Sequence, residues 1–219
     1  MDKKKKTLPA LERRNYAFEV RAEGDEQAGA IITGRPIVYN SETDICGMFA
    51  EIIEPGALDG ADLTDVRFLV NHDINKIPLA RSRKNSEAST MQLSVDGDGL
   101  AIRVELDTEN NSEARALYSA VKRGDISGMS FMFSVKDERW ENVDAEYPKR
   151  HILKIASVIE VSAVTFPAYE DTEINARGGA LESARGALES ARKTKRSKTP
   201  EGVDALALAK AKNHNYKKF

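Results

Sequence analysis

Along most of the chain apolar and polar residues alternate in short runs, the period of strands with one face turned to a core. Ala17-Phe18-Glu19-Val20-Arg21 alternates, and Ala30–Tyr39 is apolar, with Gly34 predicting a bulge or close backbone approach and Pro36 an edge or a bend. Cys46–Ile53 reads as a further strand stopped by Pro55-Gly56; Phe49, Glu51 and Ile53 share one face of it, with Glu51 expected as a rim charge and Cys46 as buried filler. Val66–Val70 leads into His72, and Ile77–Arg81 follows as a short extended piece. Met91–Val95 and Leu100–Leu106 flank Asp96-Gly97-Asp98-Gly99, a strong hairpin signal.

Between Thr108 and Arg123 the period changes to that of a helix: Ala114, Leu117 and Val121 fall on one face, Asn110, Asn111 and Ser112 offer N-caps, and Gly124 offers a stop. A tight turn at Ser127-Gly128 then opens a strand at Ser130, with Phe131, Phe133 and Val135 opposite Ser130, Met132 and Ser134. After a charged excursion from Trp140 to Arg150, the long strand Ile152–Thr165 carries Val158, Glu160, Ser162 and Val164 on one face and stops at Pro167. About nine strands joined as hairpins, with one or two helices, predict an α+β, β-rich fold: a mostly antiparallel β-barrel or strongly curved sheet flanked by a few helices.

At 219 residues, 41% hydrophobic and 31% charged, the chain can bury one good core, so one domain with extensions is expected. The net charge of -2 conceals an asymmetry: eleven basic and four acidic residues lie from Arg177 onward, leaving 22 basic and 31 acidic before it. Residues 1–14 read as a flexible basic lead, 15–176 as the domain and 177–219 as a basic, partly helical or disordered tail. That tail repeats Gly-Ala-Leu-Glu-Ser-Ala-Arg at 179–185 and 186–192, where a short, marginal helix is expected, and has a second helix-prone piece at Val203–Lys212. Such a tail suits a solvated appendage or one that finds an acidic surface, and it has no base-reading motif, so no nucleic-acid partner is expected. Met1 is followed by Asp2 and four lysines, no apolar run is long enough to span a membrane, and Cys46 is the lone cysteine; a reducing compartment rather than secretion is expected.

The candidate chemistry centres on Ser130. A serine at a strand mouth becomes a nucleophile when a histidine takes its proton and a third group holds that histidine in the right tautomer. The chain has His72, His151 and His214, and Glu160 interrupts an apolar run where a bare carboxylate would be costly unless paired. Ser127 competes for the nucleophile's place, and His151 and Asp73 compete for the third member's, although a neighbour of His72 on an extended chain points away from it. No metal or cofactor is indicated: the histidines lack ligand spacing and no Gly-rich phosphate loop follows a strand.

Four motifs occur in order: Phe49-x-Glu51-x-Ile53-x-Pro55-Gly56-Ala57-Leu58; Asn71-His72-Asp73 followed by Pro78-Leu79-x-Arg81; Gly128-x-Ser130-Phe131-x-Phe133; and Glu160-Val161-Ser162-x-Val164-Thr165-x-Pro167-Ala168. Together they resemble the successive signatures of the tailed-phage prohead maturation proteases, over roughly Ala30–Ala168. Met132 and Ala80 stand where that family usually has glycine. The resemblance implies a serine endopeptidase related to the herpesvirus assemblins, with Ser130 as nucleophile, His72 as general base and Glu160 as the acidic member; in the herpesvirus enzymes a second histidine fills the third role, which His151 would supply here. It also implies action inside an assembling procapsid in the host cytoplasm, on the scaffolding segments of the major capsid protein and on the enzyme itself, with self-association among its contacts and no membrane partner. The rival reading is a non-catalytic scaffolding protein of the same fold.

Overall fold

In the computed structural model, residues 11–16, 20–23, 29–165 and 179–198 are described, and they form eleven strands and two helices. In chain order these are β1 (Leu11–Tyr16), β2 (Val20–Glu23), β3 (Ala30–Val38), β4 (Thr43–Ile45), β5 (Phe49–Ile53), β6 (Asp65–Val70), β7 (Ala80–Arg83), β8 (Met91–Asp96), β9 (Gly99–Leu106), α1 (Ser112–Arg123), β10 (Gly128–Glu141), β11 (Lys149–Val164) and α2 (Gly179–Lys198).

The strands make two sheets rather than a closed barrel. One is seven-stranded, in the order β1-β10-β11-β5-β4, with β6 on β11 and β7 on β6; the other runs β2-β3-β9-β8. Nor is the pairing all antiparallel. β11 is 16 residues long, and while one edge pairs antiparallel with β10, the other takes two strands in succession, both parallel: β5 along 149–152 and β6 along 160–163. Apolar sequence alternation identifies strands but not which strand lies beside which, so the parallel crossovers were invisible to it.

Local chemistry explains the elements that hold the site. Asn111 caps α1, its Oδ1 accepting from the backbone of Glu113 (3.0 Å) and Ala114 (3.3 Å), while Ala114, Leu117 and Val121 are buried and Gly124 closes the helix at φ 80°. The β8–β9 hairpin forms as expected, and Gly99 is required there: at φ 136° a Cβ would lie 2.0 Å from the Ile37 carbonyl oxygen. The register of β3 against β9 shifts between Gly34 and Ile37, the bulge expected at Gly34. The main core gathers Ile32, Ile37, Phe68, Met91, Leu100, Phe131, Phe133 and Ile152, all essentially inaccessible to solvent.

Three expectations are corrected. Cys46 lies not in a strand but in the turn between β4 and β5, at φ 56° and exposed. Glu51 is no rim charge; it is fully buried on β5. Residues 179–198 form one continuous helix of 20 residues, whose Ala184 and Leu188 pack with Ile45, Phe49 and Val143 in a second apolar cluster, so packing rather than intrinsic propensity stabilises it. Val203–Lys212 and His214 lie outside the described residues, as does Pro167.

β1 is held differently from the other strands. Its residues Glu12 and Arg14 are buried, and they enter an ion network with Glu51, Arg150 and Glu138. Burial pushes the Glu12 carboxyl up, but hydrogen bonding from Arg150 and the charges of Arg14 and Arg150 outweigh it, and the group sits below its ordinary value of 4.5. A depressed carboxylate contributes stability that is complete above its unfolded value and lost as pH falls through the folded one. Amide exchange of residues 11–16, corrected for its intrinsic pH dependence, should therefore accelerate below about pH 4.5. Glu12→Gln should flatten that response, and a profile identical to the unmutated chain's would exclude this origin.

Candidate active site

The register of three strands places the site. Ser130 on β10 faces Ser162 on β11, and Ser162 in turn faces Leu69 on β6, so the end of β6 arrives at the level of Ser130 with β11 between them. Immediately after β6 the backbone enters the left-handed region at two consecutive non-glycine residues, Asn71 (φ 51°) and His72 (φ 59°). Asn and His tolerate this conformation better than most residues, but holding two in succession requires outside support.

That support comes from β11 and its end. Asn71 N–H donates to the Ala163 carbonyl (3.0 Å); its side chain donates to Thr165 Oγ1 (3.0 Å) and accepts from Thr165 N–H (3.0 Å). His72 N–H donates to Ser162 Oγ (3.1 Å). Because the Asn71 clamp fixes the turn that aims the ring, Asn71→Ala should lower kcat on the order of 10–100-fold with little change in KM, the effect the general-base role expected for His72 demands of a displacement by a fraction of an ångström. Steady-state kinetics would check this, and an unchanged kcat would show that the clamp is dispensable.

With its backbone so held, the His72 ring bridges the two other candidates. Its Nδ1 bonds Glu160 Oε1 and its Nε2 lies 2.5 Å from Ser130 Oγ. Ser162 Oγ donates to the second Glu160 oxygen at 2.6 Å, so both carboxylate oxygens have partners and the cost of burying this charge is met. Ser130, Ser162 and Glu160 are essentially inaccessible, while the His72 side chain keeps 10% of its surface exposed.

The competitors lie elsewhere. Ser127 is exposed and precedes β10. Asp73 turns its carboxylate to the Asn75 N–H at 3.1 Å. His151 is nine residues from Glu160 along β11, roughly 30 Å at strand spacing, with its Nδ1 on Glu54 Oε1 at 2.6 Å. Met132 is buried on β10 and Ala80 is buried at the start of β7. Among the described residues no group of three His, Cys, Asp or Glu is arranged to hold a metal ion, and no helix is long and apolar enough to cross a membrane.

Ser162 was legible in the sequence as a hydrogen-bond partner for Glu160, because the two share one strand face; it orients Glu160 and also anchors the His72 backbone. The Arg14 carbonyl escaped the sequence: it accepts from Ser130 Oγ at 2.7 Å across a sequence separation that no local pattern reports. A hydroxyl has one hydrogen. The Arg14 carbonyl and His72 Nε2, 2.5 Å from Oγ, therefore compete for it.

Residues 16–185 match the family described as Caudovirus prohead serine protease. Among solved structures the chain is similar to the capsid assembly protease of bacteriophage T4, with 13% identity and a TM-score of 0.43, covering 74% of this chain and 100% of that one. No curated protein sequence matches it significantly.

Proposed function

The chain belongs to the Caudovirus prohead serine protease family, and from that membership we propose that it is a serine endopeptidase that cleaves the scaffolding segments of capsid protein, and itself, within the procapsid. The observation that carries this reading is the hydrogen-bonded line from Ser130 through His72 to Glu160, which no local sequence constraint would produce by chance from three separate elements.

In the proposed mechanism His72 Nε2 removes the Ser130 proton as Oγ attacks the scissile carbonyl, and the same nitrogen then hands that proton to the leaving amine. Glu160 accepts the Nδ1 hydrogen bond, fixing the tautomer and stabilising the imidazolium as it forms. Ser162 keeps the carboxylate turned to the ring. Residues 15–176 would carry this chemistry, and the partners are capsid subunits and other copies of the enzyme in the host cytoplasm. The basic segment from 177 on, which includes α2, would favour acidic scaffold surfaces.

Co-expression with the capsid protein tests the reading. Fragments at defined masses should form with the unmutated chain and disappear with Ser130→Ala. Capsid protein of unchanged mass in both cases, in particles that assemble normally, would favour a scaffolding role without catalysis.

A further inference from the structure

Of the β1 side chains from Leu11 to Arg14, Leu11 is 52% exposed, and the two that are buried, Glu12 and Arg14, are charged. β1 is an edge strand joined to the protein by its ladder on β10, from Leu11 opposite Ser134 to Tyr16 opposite Met129, by packing against α2, by the Arg14 guanidinium over the Phe133 ring and by two ionic contacts with the body. Arg14 reaches Glu51 with two parallel bonds, Nε to Oε1 at 2.5 Å and Nη2 to Oε2 at 2.8 Å. Glu12, two residues earlier on the same face, takes both terminal nitrogens of Arg150, at 2.6 and 2.7 Å. The body of the protein thus offers a buried carboxylate and a buried guanidinium, spaced to read an acid and an arginine two residues apart on an extended chain.

Burying such charges gives little net stability compared with an apolar contact of the same size, but it discriminates sharply between partners that do and do not complete the pairs. The family match begins at residue 16, the last residue of β1, so this strand lies almost wholly outside it. β1 also covers Ser130: Asn15 stands opposite it, the Arg14 carbonyl accepts its proton, and the hydroxyl has no exposed surface.

We propose that the edge of β10 at Ser130 is a peptide-binding site that takes an extended Glu-x-Arg segment by strand addition, reading the arginine with Glu51 and the acid with Arg150, and that β1 is its intramolecular occupant. This deepens the protease reading and rests on it for its meaning: the substrate class is an extended peptide with that pattern, and β1 keeps Ser130 covered until such a segment displaces it. The occupant is held unproductively, because the Arg14 carbonyl competes with His72 Nε2 for the Ser130 proton.

Binding can be read without turnover in the full-length Ser130→Ala chain, using a fluorescein-labelled peptide with the sequence of residues 9–17. Adding Arg14→Ala should tighten binding about tenfold or more, since weakening the internal competitor raises the fraction of open sites. Placing alanine in the peptide at the position of Arg14 should weaken it about tenfold or more. Equal affinity for the two peptides, or no gain from Arg14→Ala in a chain that still melts cooperatively, would overturn the proposal. If Arg14→Ala does not fold, the unmutated chain decides: saturating peptide speeds amide exchange of residues 11–16 if the site is shared, and leaves it unchanged if it is not. Since the Ser130 hydroxyl is absent from the binding experiment, its result stands apart from whether Ser130 is the nucleophile.

Discussion

Ser130→Ala should reduce cleavage of the capsid protein to the background, a loss on the order of 10⁶-fold in kcat where members of a nucleophile–base pair are removed, and His72→Ala should do the same. The double variant should be no worse than either single one, because the two groups act as a unit and the second substitution removes nothing that still functions. Neither change removes core volume. Ser130→Ala takes away one hydroxyl donated to a backbone carbonyl, a cost of about 1 kcal/mol, so the melting temperature should move by only a few degrees. Ser127→Ala, at an exposed position before β10, should retain activity. Fragment masses from co-expression, read beside thermal melts, provide the check. Processing that survives Ser130→Ala would remove this serine from the chemistry, and inactivity confined to Ser127→Ala would transfer the role.

What was legible in the sequence divides along physical lines. Apolar runs bounded by turn signals located β3, β6, β8 and β9 because each contributes side chains to the core, and the cap chemistry at Asn111 and Gly124 marked both ends of α1 because those signals are local. Glu160 was conspicuous since a carboxylate in an apolar run must find a partner, and it has two. The turn after β4 was missed because Cys46 and Met48 continue an apolar run, while the reversal depends on positive φ at Cys46 and Gly47. Glu51 was misjudged for a different reason. A single acid between apolar neighbours reads the same whether it ends at a rim or meets a guanidinium from a strand 37 residues away, and its partner Arg14 sits in a segment with no alternation to mark it as a strand. Long-range ionic pairing and parallel crossovers leave no periodic trace, and both bear on how Ser130 is covered and approached.

Those long-range contacts also favour Glu160 as the third member of the proposed triad. Glu160→Gln should fold, since the amide matches the carboxylate in shape and its neighbours remain, yet its rate should fall by about 10⁴, the size of the corresponding acid-to-amide change in the Ser-His-Asp triad, or about 5 kcal/mol of transition-state stabilisation. The reason lies in donor counting. Ser162 Oγ already accepts from the His72 N–H and donates its own hydrogen to Glu160 Oε2, so an amide at 160 is driven to turn its oxygen to Ser162 and its NH₂ to the ring. His72 Nδ1 must then accept, which moves the ring proton to Nε2, where it blocks transfer from Ser130. Ser162→Ala relaxes this demand, so Ser162→Ala combined with Glu160→Gln should lose less than the two single effects multiplied together. His151→Ala should change kcat by no more than a few-fold, because that ring is occupied with Glu54 roughly 30 Å along β11. Single-turnover rates on one capsid-derived peptide would rank the variants, and a larger loss from His151→Ala than from Glu160→Gln would assign the third role to the second histidine.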